Sequence, residues 1–137
     1  DLFVCNVGVY TTDTLRPEGN YAAHADAFAG HLKPEERNER SVLYRNLGEL
    51  KFEDVTAATG LIDESWTGDA TPLDANRDGW LDLYVLSMQG HDEYYENVEG
   101  KTFRKRSREL FPKTPWGAMG VKVFDFDNDG QLDLYLT

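Results

Sequence analysis

One cysteine, Cys5, stands in 137 residues, so no disulfide can close within the chain and cysteine does not report its compartment. Cys5 reads as a small buried apolar residue in a strand, with a thiol outside the segment as its other use. Long apolar runs are missing too, and nothing approaches the ~20 residues of a membrane span. Basic charge is scarce: 14 Lys and Arg stand against 25 Asp and Glu, a formal net charge of -11. Nucleic-acid phosphates would repel such a chain. Histidine occurs three times, as His24, His31 and His91. No G-x-S-x-G elbow, phosphate loop or dinucleotide fingerprint occurs. There is no signal peptide and no initiator Met; the chain opens on Asp1-Leu2-Phe3-Val4, which reads as the inside of a strand of a fragment or processed product.

What is present supports a folded chain. Hydrophobic residues make up 40% and aromatics 12%, enough for a buried core and against disorder. The length suits one ordinary domain. The dominant feature is a repeat. Asp74-Ala-Asn-Arg-Asp-Gly-Trp-Leu-Asp-Leu-Tyr-Val returns as Asp125-Phe-Asp-Asn-Asp-Gly-Gln-Leu-Asp-Leu-Tyr-Leu, an offset of 51. The same offset carries Tyr44-Arg45-Asn46 onto Tyr95-Glu96-Asn97, and Phe52 onto Phe103. Trp66 and Gly68 have near counterparts in Trp116 and Gly117, with slippage. Asp1-Leu2-Phe3-Val4 fits the same frame as Asp82-Leu83-Tyr84-Val85, but at an offset of 81, so about 30 extra residues intervene.

Short runs rich in β-formers lie between Gly, Asn and Asp clusters. The pattern predicts strands at Val42–Asn46, Lys51–Val55, Leu81–Leu86, Tyr94–Val98, Thr102–Arg106, Val121–Phe124 and Leu132–Thr137. It predicts hairpin turns at 47–50 and 99–101. Four short strands per ~50 residues is the signature of a propeller blade. The expected organisation is an end strand at 1–6, an insertion at 7–41 and the rest of a first blade at 42–65. A second blade follows at 66–116 with its loop at 74–82, and a third begins at 117–137 with its loop at 125–133. The fold class is therefore all-β, about two and a half propeller blades, too few to close a ring. The insertion reads as a long loop with one short helix near 22–29, either functional or a tolerated surface excursion.

The two loops share D-x-[DN]-x-D-G-x-x-D. Positions one, three and five place short oxygen-bearing side chains inside a tight loop, and Gly79 and Gly130 at position six make the sharp turn. The carbonyls of Trp80 and Gln131 at position seven, and Asp82 and Asp133 at position nine, complete an all-oxygen set. The candidate ligands are Asp74, Asn76, Asp78, Trp80 and Asp82 in one loop and Asp125, Asp127, Asp129, Gln131 and Asp133 in the other. Asp1 would be the last ligand of a third loop. Such donors suit Ca²⁺ better than Mg²⁺, which keeps its waters, and offer zinc neither His nor Cys. An EF-hand requires Glu at position twelve and helical flanks; here Val85 and Leu136 stand there, in strands. Without a cation the clustered carboxylates repel one another. Two bound ions would take the charge from -11 to -7.

The loop Asp125-Phe-Asp-Asn-Asp-Gly-Gln-Leu-Asp-Leu-Tyr resembles the FG-GAP/VCBS-type repeat, found in integrin α-chain propellers and many secreted bacterial proteins. Leu43-Tyr-Arg-Asn-Leu-Gly48, Phe52-Glu-Asp-Val-Thr56 and Thr59-Gly60-Leu61 resemble the cartilage-acidic-protein-like bacterial branch, often associated with ASPIC/UnbV domains. The resemblance implies a propeller, commonly seven-bladed, with Ca²⁺ in hairpin loops. It also implies export to the periplasm, cell surface or medium, where sites of about 10⁻⁴ to 10⁻³ M are useful. Neutral Asn76 and the insertion depart from the pattern.

The functional expectation is a calcium-stabilised extracellular module for adhesion or for binding protein or carbohydrate, non-catalytic in this segment. The alternatives are a secreted carbohydrate- or lipid-processing enzyme with its catalytic residues elsewhere, or a structural subunit of a larger surface assembly. His24, Asp26 and His31 form a weak metal or acid/base grouping, and His91 reads as part of a polar turn. The basic run Lys101–Arg108 reads as a solvated outer strand, with an anionic partner as its other use.

Overall fold

A computed structural model describes residues 1–6, 17, 40–88 and 90–137. Most of the 7–41 insertion, the helix expected near 22–29 and the His24, Asp26, His31 grouping lie outside the described residues. The elements are β1 (Leu2–Val4), β2 (Val42–Gly48), β3 (Lys51–Asp54), α1 (Thr56–Thr59), β4 (Thr67–Leu73), β5 (Asp82–Ser87), β6 (Glu93–Val98), β7 (Thr102–Lys105), α2 (Ser107–Leu110), β8 (Val121–Phe124) and β9 (Asp133–Leu136). They form three antiparallel sheets, ordered β1-β2-β3, β4-β5-β6-β7 and β8-β9.

The middle sheet lies between the other two, and its sequence shows why. Every residue of β5, Asp-Leu-Tyr-Val-Leu-Ser, is buried, as in a strand covered on both faces. Side chains alternate across a strand, so β5 divides its residues between two cores. Leu83 and Val85, with Tyr95 and Leu61, pack with Phe3 and Leu43 of the first sheet. Tyr84 and Leu86, with Leu73 and Tyr94, pack with Val121, Val123, Leu134 and Leu136 of the third.

The 51-residue offset recurs as hydrogen bonds. Leu43 N–H donates to Thr56 Oγ1 at 2.9 Å, and Tyr94 N–H to Ser107 Oγ at 2.8 Å. Val55 N–H donates to the Leu43 carbonyl, and Arg106 N–H to that of Tyr94, both at 2.9 Å. A hydroxyl at the first residue of each short helix thus ties α1 to β2 and α2 to β6. Ser41 and Asp92 are related in the same way: Asn6 N–H meets Ser41 Oγ at 3.4 Å and Ser87 N–H meets Asp92 Oδ1 at 2.9 Å.

Several expectations need correction. β4 lies outside the predicted strands: it contains Gly68, Asp69 and Pro72, all poor strand formers. It forms because it is an edge strand, where proline is tolerated, and because a bulge absorbs the irregularity between Thr67 and Asp69. The two helical turns replace expected strand ends, so Val55 and Arg106 lie outside β3 and β7. β5 begins at Asp82 rather than Leu81, β6 at Glu93, and β9 covers 133–136. Cys5 lies beyond β1 and is half-buried. Trp66 is buried, whereas Trp116, which precedes the two-stranded third sheet, is 75% exposed.

The hairpin turn β6–β7 contains Glu99 and Gly100 at φ 54° and 68°. Gly100 suits its left-handed backbone, and a Cβ there would sit 2.5 Å from Trp80 Cζ3. Gly79 has φ 88° and open space. Gly100→Ala should therefore cost about 2 kcal/mol and Gly79→Ala about 1 kcal/mol, read from urea melts in EGTA. Equal losses would rule out the Trp80 contact as the source of the difference.

Candidate metal-binding loops

Both Asp-rich segments are hairpin connections, from β4 to β5 and from β8 to β9, and the flanking pairs Leu73–Asp82 and Phe124–Asp133 are in register. The loops have the same internal wiring. Asp74 accepts from the N–H groups of Asp78 (3.1 Å) and Gly79 (3.0 Å), and Asp125 from those of Asp129 (3.0 Å) and Gly130 (2.9 Å). Trp80 N–H donates to Asp78, and Gln131 N–H to Asp129, both at 2.8 Å. Position four is left-handed in both, Arg77 at φ 61° and Asn128 at φ 62°. Backbone donors therefore orient the carboxylates at positions one and five.

The second loop gathers charge: oxygens of Asp125, Asp127 and Asp133 lie within 4.8 Å of one another. Asp129 is held by the Gln131 side-chain amide at 2.8 Å. In the first loop the neutral Asn76 donates to Asp78 Oδ2 at 2.8 Å. Position nine differs most between the loops. Asp82 is buried, and its carboxylate accepts from Ala75 N–H (3.1 Å), Tyr94 O–H (2.5 Å) and Asn97 N–H (2.8 Å). Asp133 is exposed and accepts from Phe126 N–H at 2.8 Å. Burial, then the Asp82 carboxylate, raises the Tyr94 hydroxyl well above its usual range, so it stays a proton donor to Asp82. Asp1 repeats part of the pattern: it accepts from Asn46 N–H at 2.9 Å, the counterpart of Asn97. The pairing of Asn46 and Asn97 with Asp1 and Asp82 was latent in the repeat, whereas nothing in the motif marked Tyr94.

The donor set fits a hard cation. It offers carboxylate, amide and carbonyl oxygens on a backbone already turned to bring them together, and no nitrogen or thiolate of the kind zinc selects.

Other candidates carry less chemistry. The groove of 650 Å³ between the first two sheets is lined by Phe3, Leu43, Leu61, Leu83 and Cys5. Burial, then Asp63 and Asp69, pushes the Cys5 thiol up to about 11, so it is protonated and a poor nucleophile at neutral pH. His91 Nδ1 lies 2.6 Å from the Asp92 carbonyl. The basic run is largely matched within the chain: Lys101 pairs with Glu99, Arg104 with Glu96, Lys105 with Glu93, and Arg106 with Glu96 and Glu109. Hydrogen bonds from Arg106 and then Arg104 hold the Glu96 carboxyl below its usual range. That leaves little free positive charge there for an anionic partner.

The three antiparallel sheets make an all-β arrangement that repeats a hairpin loop and its hydrogen bonds, consistent with propeller blades. Comparison with protein families agrees: residues 74–136 match the FG-GAP-like repeat. The match runs from position one of the first loop to the end of the strand after the second. No curated protein matches the chain. No described helix is long and apolar enough to cross a membrane.

Proposed function

We propose that this chain is a calcium-stabilised segment of a β-propeller, seven-bladed in full, that works outside the cytoplasm as a binding or adhesion module for protein or carbohydrate. The observation that carries the reading is the backbone wiring that the two loops share at positions one and five, with the oxygens of Asp125, Asp127 and Asp133 gathered within 4.8 Å of one another in the second. Asp74, Asn76, Asp78, the Trp80 carbonyl and Asp82 would hold one ion, and Asp125, Asp127, Asp129, the Gln131 carbonyl and Asp133 the other. Asp1 is offered as the closing ligand of a third loop. A bound ion would supply positive charge that offsets carboxylate repulsion. The protein's part is to present the oxygens: Gly79 and Gly130 allow the reversal, and the strands fix position nine. The finer kinship we favour is the cartilage-acidic-protein-like, ASPIC/UnbV-associated branch, on the texture of 43–61. Weak sites fit an exported protein in a calcium-rich setting.

Calorimetric titration of the 137-residue chain should show two calcium ions bound, with Kd of about 10⁻⁴ to 10⁻³ M and weaker binding of Mg²⁺. At tenfold excess over Kd each ion stabilises the fold by about 1.4 kcal/mol. EGTA should therefore lower Tm, and Asp127→Asn should weaken the second loop toward the first. Absence of binding heat together with an unchanged Tm would refute the calcium reading.

A further inference from the structure

Arg77 joins the two loops. It stands at position four of the first loop, between ligand positions Asn76 and Asp78, and its Nη2 donates to the Gly130 carbonyl of the second loop at 3.3 Å. Gly130 itself lies between ligand positions Asp129 and Gln131. The contact spans 53 residues and connects neighbouring sheets. Arginine is also an unexpected occupant: position four is left-handed, a conformation that asparagine tolerates and arginine does not favour, and Asn128 fills it in the other loop. Propensity therefore does not account for Arg77, whereas its reach to Gly130 does.

We propose that Arg77 is a positioning residue that couples calcium binding at the two loops, an inference that rests on the calcium reading above. Ligation through Asn76 and Asp78 fixes the backbone on both sides of Arg77, and so fixes where its guanidinium projects. A fixed guanidinium holds the Gly130 carbonyl and orders the turn that presents Asp129 and the Gln131 carbonyl. The second loop then loses less conformational freedom when it binds, which is positive cooperativity through ordering. Linkage makes the effect reciprocal: each loop raises the affinity of the other by the same factor.

The test is a cycle of variants of the whole chain, followed by ¹⁵N-resolved NMR during calcium titration, with the Gly79 and Gly130 amides reporting each loop separately. Asp78→Asn weakens the first loop yet keeps an oxygen for the Trp80 N–H. Asp129→Asn does the same for the second loop and the Gln131 N–H. Arg77→Asn removes the guanidinium and places there the residue that adopts the same backbone at 128. With Arg77 present, Asp78→Asn should raise the Gly130 midpoint about threefold, on the scale of one exposed hydrogen bond. Asp129→Asn should raise the Gly79 midpoint by the same factor. In the Arg77→Asn background neither cross-effect should appear. Midpoints that are independent with Arg77 in place, or cross-effects that persist without it, overturn the coupling and leave the calcium reading intact. No calcium response at either glycine overturns both.

Discussion

Asp82→Ala is expected to lower unfolding free energy by about 4 kcal/mol, whereas Asp133→Ala, at the same position of the second loop, should cost about 1 kcal/mol or less. The two aspartates share a motif but not an environment. Removing the Asp82 carboxylate takes the acceptor from Tyr94 O–H, Ala75 N–H and Asn97 N–H around a buried site, and each orphaned donor costs about 1 to 3 kcal/mol. Asp133 is exposed and serves one backbone donor, which water can replace. Urea melts in EGTA remove any ion from the comparison. Native domains hold only about 5–15 kcal/mol, so the first variant should be visibly marginal. Equal losses would show that Asp82 is no structural node.

Tyr84→Ala should cost a similar amount, about 4 kcal/mol, by opening a cavity where the second and third sheets meet. Tyr84 is 1% exposed, packs edge-on against Phe111 with centroids 5.3 Å apart, and donates its hydroxyl to Asp92 Oδ2 at 2.8 Å. Burial lifts the Asp92 carboxyl above its usual range, which makes that hydroxyl a needed partner. Tyr84→Phe, which keeps the ring, should lose about 1–2 kcal/mol. Repeat stability passes between neighbours, so the loss should be local. Hydrogen exchange should show β8 and β9 losing protection before β6 and β7 in Tyr84→Ala. Uniform loss across both sheets would contradict this nearest-neighbour picture.

The parts of the fold legible in the sequence were those written in local chemistry. The Asp-rich loops announced themselves because a tight oxygen-lined turn needs Asp, Asn and Gly at fixed spacing. β5 was legible because a strand covered on both faces carries a near-continuous run of β-formers, Leu83 to Leu86, and β6 because Tyr94, Tyr95 and Val98 stand before a Glu-Gly turn. β4 was hidden because Pro72 and Gly68 suppress strand propensity, and it is held by register with β5 instead. The repeat does mark it: 121–124 carries a strand pattern, and the 51-residue offset places 70–73 in the same role. The helical turns were too short for periodicity to register. At the loops, Tyr94 and Arg77 were invisible because their roles arise from contacts 12 and 53 residues away. The basic run was legible as charge but not as pairing, since its glutamates come from the adjacent strand, the turn and the following helix.

Pro72 has a converse effect. β4 is the edge of the middle sheet, and a bare edge is a template onto which another chain can add a strand. Proline has no N–H to offer such an intruder, and Asp69 places a carboxylate on the same strand, itself engaged by Val121 N–H at 3.1 Å. β8 carries Val123 at the equivalent position, with Lys122 beside it. The residues that concealed β4 from a propensity reading thus guard it against uncontrolled polymerisation. Val123 leaves β8 without the proline's block, so its resistance to strand addition rests more on the charge of Lys122.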